Sequence, residues 1–230
     1  MVILALDTTG KSAGVAVMKD SRLISEIYID AGLTHSATIM PAVEQALDMA
    51  GQSISGVDVF AAAIGPGSFT GIRIGVAAAK AMAQARNKPL AAVNALDALA
   101  RNAALFEGSI CPVMDARRSQ VYGAVYKSKG GHRPERLSDY MAVPIDEFLS
   151  FVSGRAVFLG DGALPFKDEI EAALGQNAVF ADAAHMLQRA SSVALEAADM
   201  ALEGKLISCF EMEPFYIRPS QAERLFGGAV

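Results

Sequence analysis

A strand–aspartate–turn–strand pattern occurs twice in this chain and limits the architectures open to it. Residues 5–17 (ALDTTGKSAGVAV) align without gaps with residues 113–125 (VMDARRSQVYGAV), so that Asp7 meets Asp115 at the end of an apolar run. An internal repeat of this kind indicates the overall architecture more directly than a single motif does. The sequence therefore predicts two related halves, each of which opens with a hairpin.

The spacing of apolar residues predicts an α/β protein. Three short apolar runs, at 3–7, 13–18 and 23–29, are separated by polar turns, which favours an antiparallel meander. The rest of the first half alternates between helix and strand: helix 36–50, strand 57–64, helix 71–86, strand 90–93 and helix 96–105. The second half continues with strands 110–115 and 121–126, helix 144–152, strand 156–159, and helices 166–174 and 191–202.

Helix-end signals frame the first predicted helix. Ser36 is a plausible N-cap, and Gly51 is placed to follow the last turn. Pro41 lies within the segment, which predicts either a kink or a later start near Met40.

Composition narrows the functional classes. The chain has 230 residues with a formal net charge of −5, whereas proteins that grip a polyanion alone usually carry a basic excess. Charges, glycines and prolines interrupt every apolar stretch before it could cross a bilayer, and Asp7 cuts the first run too early for a signal peptide. Cys111 and Cys209 are far apart and predicted to be reduced thiols. We expect a cytoplasmic protein without a membrane segment.

The first turn invites a phosphate-binding interpretation. Residues 5–12 fit the relaxed P-loop pattern, but a strand follows where a P-loop requires a helix, so we interpret the match as coincidental. Paired hairpins with aspartates are also the arrangement by which the actin, Hsp70 and sugar-kinase superfamily clasps nucleotide phosphates. The second turn lacks glycine and carries Arg117 and Arg118, so plain hairpins remain equally open. The candidate vestigial phosphate site comprises Asp7, Thr8, Thr9, Gly10, Ser12 and Asp115.

No catalytic or metal-binding constellation stands out. None of the three histidines has another at i+4, and no G-x-S-x-G motif occurs, so we predict no catalytic residues, no metal site and no cofactor. Gly160-Asp161-Gly162 follows a strand and precedes a helix, which fits either a ligand-facing loop or a tight turn.

The predicted helix 71–86 is nearly uncharged. Gly71, Gly75, Ala79 and Ala83 form an i, i+4 row of small residues, which permits close approach of another element. A helix that is apolar around most of its circumference is buried, either inside the protein or against a partner. The sequence leaves both open; the preceding Gly65–Gly71 loop is interpreted as the turn that lets this helix start close to the sheet.

Several motifs resemble the TsaB (YeaZ) family of bacterial subunits that make threonylcarbamoyladenosine on tRNAs reading codons beginning with A. The resemblance rests on residues 65–75 (GPGSFTGIRIG), 4–9, His35-Ser36 with Pro41, 113–118 with Val121-Tyr122, and 214–218. It implies an actin-like ATPase (ribonuclease H-like) fold of two related halves, each a mixed sheet flanked by helices. The implied halves are residues 1–106 and 107–230, the last segment packing back on the first half.

The resemblance also implies a function. The family is a non-catalytic scaffold that binds the catalytic sibling TsaD through its N-terminal helices; the ATPase TsaE joins the complex, and the subunit dimerises when alone. Contact with tRNA is expected to be indirect, and the sequence leaves open whether Arg117 and Arg118 touch it. Position 39 is Ile, where TsaD carries the second histidine of a metal pair. The implied interface residues are His35, Ile39, Val43, Leu47, Gly71, Ile72, Gly75, Val76, Ala79, Met82 and Ala83. The alternative function is a small phosphotransferase that uses Asp7 and Asp115 around Mg–ATP.

Overall fold

Two β-sheets with the same strand order form the framework of the computed structural model, which describes residues 1–128, 130 and 133–218. The first sheet contains β1 (Val2–Asp7), β2 (Ala13–Lys19), β3 (Arg22–Ile29), β4 (Val59–Ala63) and β5 (Leu90–Val93). Its order is β3-β2-β1-β4-β5; β1 to β3 form the predicted antiparallel meander, and β4 and β5 run parallel to β1.

The second sheet repeats this plan. Its strands are β6 (Ser109–Asp115), β7 (Gln120–Gly123), β8 (Tyr126–Lys127), β9 (Glu135–Arg136), β10 (Met141–Pro144), β11 (Ala156–Leu159) and β12 (Ala178–Phe180). The order β10-β7-β6-β11-β12 has the same parallel and antiparallel pairings as the first sheet, while β8 pairs with β6 and β9. The prediction of two related halves with mixed sheets is confirmed.

Helices cover both faces of the first sheet. The helices of the described residues are α1 (His35–Met49), α2 (Phe69–Arg86), α3 (Ala95–Arg101), α4 (Ile145–Leu149), α5 (Lys167–Leu174) and α6 (Ala190–Leu202), with single 3-10 turns at 54–56 and 175–177. Helices α1, α2, α3 and α6 flank the first sheet, whereas α4 and α5 pack against strands of the second. Leu4 and Leu6 share a core cluster with α1 and α2, whereas Ile3 and Ala5 share one with α3 and α6. This alternation is what a strand buried on both faces requires.

Four predicted boundaries are corrected. The N-cap of α1 is Thr34, so Ser36 lies inside the first turn, and Pro41 lies within the helix instead of near its start. Helix α2 begins at Phe69 because Ser68 caps it. The predicted strand 121–126 is split, because the Val125 amide donates to Ser138 Oγ (2.9 Å) and leaves the ladder. Helix α3 ends at Arg101 instead of extending to residue 105. Gly51 follows α1 with φ +59°, as predicted.

The chain after residue 189 lies along the first sheet. Helix α6 packs against β1 and β2, and Ile207 bridges to Leu90. Lys80 Nζ on α2 then donates to the Met212 carbonyl (2.8 Å). The bounds 1–106 and 107–230 stay a prediction, and residues 219–230 lie outside the described part. No helix in that part is long and apolar enough to cross a membrane, and Cys111 and Cys209 are free.

Candidate functional site

A cleft of about 830 Å³ lies where the central strands of the two sheets end. Its walls are the β1–β2 turn, the loop between β4 and α2, the β6–β7 turn, Asp161 after β11, and residues 215–218. The carboxyl ends of sheet strands are where α/β proteins commonly place ligand sites. The volume is in the range of small-molecule pockets.

The β1–β2 turn is held by a buried aspartate. Asp7 is 2% exposed, and its Oδ1 accepts hydrogen bonds from the Thr9 amide (2.8 Å) and the Thr9 hydroxyl (2.7 Å). Its Oδ2 is buried and has no hydrogen-bond partner among the described residues. Burial raises the pKa of Asp7 from 3.8 to about 6, against the opposing effects of the Thr9 hydrogen bonds and the nearby His35. The Asp7 carboxylate therefore stabilises the β1–β2 turn from a position beneath the cleft.

The glycine-rich loop packs against this turn. A Cβ at Gly67 would overlap the Thr9 carbonyl, one at Gly71 would overlap the Thr8 carbonyl, and one at Gly75 would lie 2.5 Å from Thr8 Oγ1. The Ser68 amide donates to the Thr9 carbonyl (2.7 Å). These contacts confirm that the loop lets α2 begin close to the sheet, since only glycine allows such an approach.

The β6–β7 turn has the same internal hydrogen bond but different side chains. Asp115 Oδ1 accepts from the Arg117 amide (2.7 Å), just as Asp7 accepts from Thr9. Arg117, Arg118 and Ser119 follow with φ of 65°, 54° and 57°, and all three are exposed. The turn therefore presents two guanidinium groups at the edge of the cleft.

Asp161 enters the cleft from the second half. Its Oδ1 accepts from the Asp115 amide (3.1 Å), which joins the loop after β11 to the end of β6. Burial raises the pKa of Asp161; the Asp115 amide and the charge of Lys11 oppose the rise, and the charge of Asp115 adds to it. Lys11 of the first half thus lies near Asp161 of the second.

Five cationic side chains line the cleft against two carboxylates, on a chain of net charge −5. We call them the cation rim; they are Lys11, Arg73, Arg117, Arg118 and Arg218. Arg73 donates to the Tyr216 hydroxyl (3.1 Å) and Arg218 to the Ala142 carbonyl. Within the described residues, none of the five forms a salt bridge.

The structure divides the predicted phosphate residues into two groups. Thr9, Gly10 and Asp115 line the cleft, whereas Asp7, Thr8 and Ser12 lie buried beneath it. Thr8 Oγ1 donates to the Gly71 carbonyl (2.7 Å) and Ser12 Oγ to the Gln188 carbonyl (3.2 Å), so both hydroxyls are committed to the fold.

Sequence reasoning missed Lys11, Arg73 and Arg218 as cleft residues, and it left Asp161 undecided. Lys11 lies in the turn that resembles a P-loop, and Asp161 lies in the Gly-Asp-Gly run at 160–162, but neither pattern places its residue in a cleft. The three cations come from separate elements that only the packed fold brings together. Among the described residues, no cluster of three or more His, Cys, Asp or Glu side chains could hold a metal. Asp7 does not reach the cleft that Asp115 lines, so the geometry gives the phosphotransferase alternative no shared Mg–ATP site.

Most of the predicted interface side chains face the core of this chain. Apart from His35, which is partly exposed and whose Nε2 lies 3.0 Å from the Gly10 carbonyl, every one of them is buried. The buried residues are Ile39, Val43, Leu47, Gly71, Ile72, Gly75, Val76, Ala79, Met82 and Ala83. Their periodic apolar face packs on the first sheet, and their place at a partner interface stays a prediction.

The opposite side of α2 is open and uncharged. Ala77, Ala81 and Ala85 are exposed, Ile74 and Ala78 are partly exposed, and helical geometry places all five on one side. The two cations within 71–85, Arg73 and Lys80, lie on another side, where they bond Tyr216 and the Met212 carbonyl. We call the five residues the open face of α2.

Comparisons of sequence agree on a tRNA-modification family. The family model described as TsaD, tRNA N6-adenosine threonylcarbamoyltransferase, matches residues 29–224. The tRNA threonylcarbamoyladenosine biosynthesis protein TsaB of Bacillus subtilis (strain 168) is 36% identical over 228 residues, which cover 97% of this chain and 96% of the relative. TsaB of Escherichia coli (strain K12) is 29% identical and covers 99% of both chains.

Comparisons of structure agree as well. YeaZ from Pseudomonas aeruginosa has a TM-score of 0.80 at 26% identity and covers 94% of this chain and 99% of its own. A ROK hexokinase from Thermus thermophilus has a TM-score of 0.51 at 15% identity, a likeness that shows the fold alone. Together with the paired sheets, these likenesses confirm the predicted actin-like, sugar-kinase type of fold.

Proposed function

This chain belongs to the TsaB (YeaZ) family of tRNA threonylcarbamoyladenosine biosynthesis, and we propose that it is a non-catalytic scaffold and activator subunit of that pathway. In this proposal a TsaD-type subunit transfers the threonylcarbamoyl group to adenosine of tRNAs that read codons beginning with A. The chain binds that subunit, the TsaE ATPase joins the pair, and a homodimer forms when the sibling is absent.

The open face of α2 carries the proposal. It offers five uncharged side chains on an 18-residue helix, next to α1, which exposes Met40 at 46%. Alanine at exposed helical positions has no long side chain to immobilise, so a partner helix can approach at the short end of the usual 8–10 Å. An uncharged surface also spares the desolvation cost that buried charges impose on an interface.

A non-catalytic role is consistent with what the cleft residues do. The two aspartates that end the central strands each accept a hydrogen bond from their own turn (2.8 and 2.7 Å), and Asp7 is closed off from the cleft. A general base or metal ligand must reach the reacting group. The residues at the strand ends thus support the fold, and in this proposal the reaction takes place in the partner.

Charge insertion on the open face tests the proposal. Ala77→Glu with Ala81→Glu should weaken binding of purified TsaD-type subunit at least about 100-fold, because two unpaired carboxylates would be desolvated in the interface. Calorimetric titration measures the affinity. Ala172→Glu with Ala173→Glu on α5 is the matched control, since both alanines are exposed on a helix of the other half.

The outcomes are distinct. Loss of binding by the α2 variant alone supports the interface, provided that its melting temperature equals that of the control. Equal binding by both variants contradicts it. Sedimentation of the isolated chain should show a dimer that the α2 variant cannot form, and addition of the sibling should replace that dimer with a mixed complex.

A further inference from the structure

We propose that the cleft between the two sheets binds the sugar–phosphate backbone of the tRNA substrate directly, with Lys11, Arg117 and Arg118 as the main contacts. The inference rests on the proposed function, because a place in a tRNA-modifying complex brings an RNA polyanion to the chain. It departs from the expectation, taken from the family resemblance, that tRNA is contacted only indirectly.

Charge distribution is the first observation. The chain is acidic overall, yet five of its 20 Lys and Arg residues converge on one cleft that holds two carboxylates. Concave sites lined by one sign of charge focus the field and raise the local concentration of an opposite charge. The Asp115 carboxylate accepts from the Arg117 amide and that of Asp161 from the Asp115 amide, so both carboxylates also serve to hold the loops in place. The cleft therefore favours an anion.

The availability of the cations is the second observation. Lys11, Arg117 and Arg118 are exposed, and within the described residues none of their side chains forms a salt bridge or a hydrogen bond to a protein group. Backbone contacts to nucleic acid are made largely by such Lys and Arg side chains. Arg73 donates to the Tyr216 hydroxyl and Arg218 to the Ala142 carbonyl, so these two cations are less available to a ligand.

The conformation of the second turn is the third observation. Arg117, Arg118 and Ser119 all have positive φ, a region that is strained for a residue with a side chain. Glycine would meet the needs of the turn at less cost. Two arginines in strained positions at the edge of a cleft point to a use of their charge, since the fold does not require them there.

Phe69, one of the aromatic residues that line the cleft, is not available to stack on a base. Phe69 is stacked with Tyr216 at 4.8 Å, and the Arg73 guanidinium lies 3.9 Å from the centre of the Phe69 ring. That ring is thus already engaged and is not a free platform for a base. A phosphate contact sets the register of an RNA without reading its sequence, which suits a subunit that positions tRNA for a sibling enzyme.

The test measures tRNA binding by the assembled complex with the TsaD-type subunit, as fluorescence anisotropy of labelled tRNA across a salt series. Arg117→Gln with Arg118→Gln should lower the affinity about 10-fold at 150 mM salt and flatten the slope of log K against log [salt] by roughly 0.7–0.9 for each phosphate that is no longer neutralised. The decrease in affinity should be the same for tRNAs of different sequence.

The matched control is Lys19→Gln with Arg22→Gln. It removes two exposed cations from the β2–β3 turn, which lies at the end of β2 away from the cleft. It should keep the wild-type affinity and slope. An unchanged affinity and slope in the Arg117/Arg118 variant would overturn the inference.

Two further measurements separate the sources of failure. Partner binding is measured on the same preparations. If the Arg117/Arg118 variant assembles with the TsaD-type subunit and binds tRNA as the wild type does, this inference alone is overturned. If the wild-type chain does not assemble with that subunit, the proposed function is overturned. In the latter case the isolated chain is titrated with the same tRNA at 50 mM salt, with the same expectation for the variants. Tight ATP binding in EDTA that the Arg117/Arg118 variant loses would assign the phosphate site to a free nucleotide and overturn the RNA assignment.

Discussion

The two hairpin turns of this protein share a backbone arrangement and differ in what surrounds it. In each, the aspartate that ends the central strand accepts a hydrogen bond from the amide two residues later, at 2.8 Å for Asp7 and 2.7 Å for Asp115. The first turn is then covered by the glycine-rich loop, and Thr8 and Thr9 are fully buried. The second turn stays open and exposes Arg117 and Arg118.

In our proposal the same repeated motif therefore supports the fold in the first half and contacts RNA in the second. Asp7 lies in the core, and its Oδ2 atom has no hydrogen-bond partner in the described part of the chain, whereas Asp115 is partly exposed at the cleft. The aligned residues diverge accordingly: Thr9, whose hydroxyl bonds Asp7, stands where the second turn has Arg117. Substitutions in the two turns should therefore separate folding from binding.

The largest effect is expected where the glycine-rich loop meets the first turn. Gly71→Ala places a Cβ against the Thr8 carbonyl, so we expect a loss of about 3 kcal/mol or more in the free energy of unfolding. Gly162→Ala is the counterpart in the second half, where the nearest atom would be the Met114 carbonyl carbon at 3.0 Å, and it should cost about 1 kcal/mol. Urea denaturation measures both. Equal losses would contradict the view that the first turn is the more tightly covered.

The pH dependence of stability probes the buried aspartate. Because the pKa of Asp7 is raised to about 6 in the folded state, its protonated form is favoured there, and stability falls as the pH rises from 3.8 through 6. Asp7→Asn should remove this loss and raise stability at pH 7.5 by up to about 3 kcal/mol. Near pH 3.5 the variant and wild type should converge, since Asp7 is then neutral. If the free energies of unfolding of the variant and the wild type had the same pH dependence across the whole range, the raised pKa of a buried Asp7 would be contradicted.

The topology could be predicted because it follows from local patterns. Short apolar runs, polar turns and the ungapped repeat at 5–17 and 113–125 give the meander and the duplicated sheet. Element boundaries could not be predicted to the residue, because they depend on single hydrogen bonds such as the one from the Val125 amide to Ser138 Oγ that interrupts the predicted strand.

The candidate site was predicted only in part, for two physical reasons. The near absence of charge on a helix indicates that another element covers it, but it does not indicate which side of the helix is covered. In the structure, the row of Gly71, Gly75, Ala79 and Ala83 is buried against the chain itself. The cation rim unites residues from separate segments, and no pattern along the chain encodes that convergence. Thr9, Gly10 and Asp115 do line the cleft, because each belongs to a short turn at a strand end, but a phosphate site there stays a prediction.

Capping of α2 offers a smaller effect. Ser68 Oγ accepts from the Gly71 amide (3.2 Å), so Ser68→Ala should cost about 1 kcal/mol in the free energy of unfolding. Ser68→Asn keeps a capping oxygen and should stay close to wild type. The corresponding helix of the second half, α5, has no side-chain cap, so the contribution belongs to the first half. Equal stability of the Ala and Asn variants in thermal unfolding would show that the cap does not contribute.

The smallest effect on stability is expected at the exposed turn. Arg118→Gly relieves a positive φ of 54° but frees the unfolded chain, so the two changes should offset each other to within about 1 kcal/mol. Thr9→Gly in the first turn removes the hydroxyl bond to Asp7 (2.7 Å) and should cost about 2 kcal/mol. Thermal unfolding of both variants gives the contrast. If Arg118→Gly destabilised the fold as much as Thr9→Gly, the arginine would be a structural residue, and its strained position would no longer point to an anion.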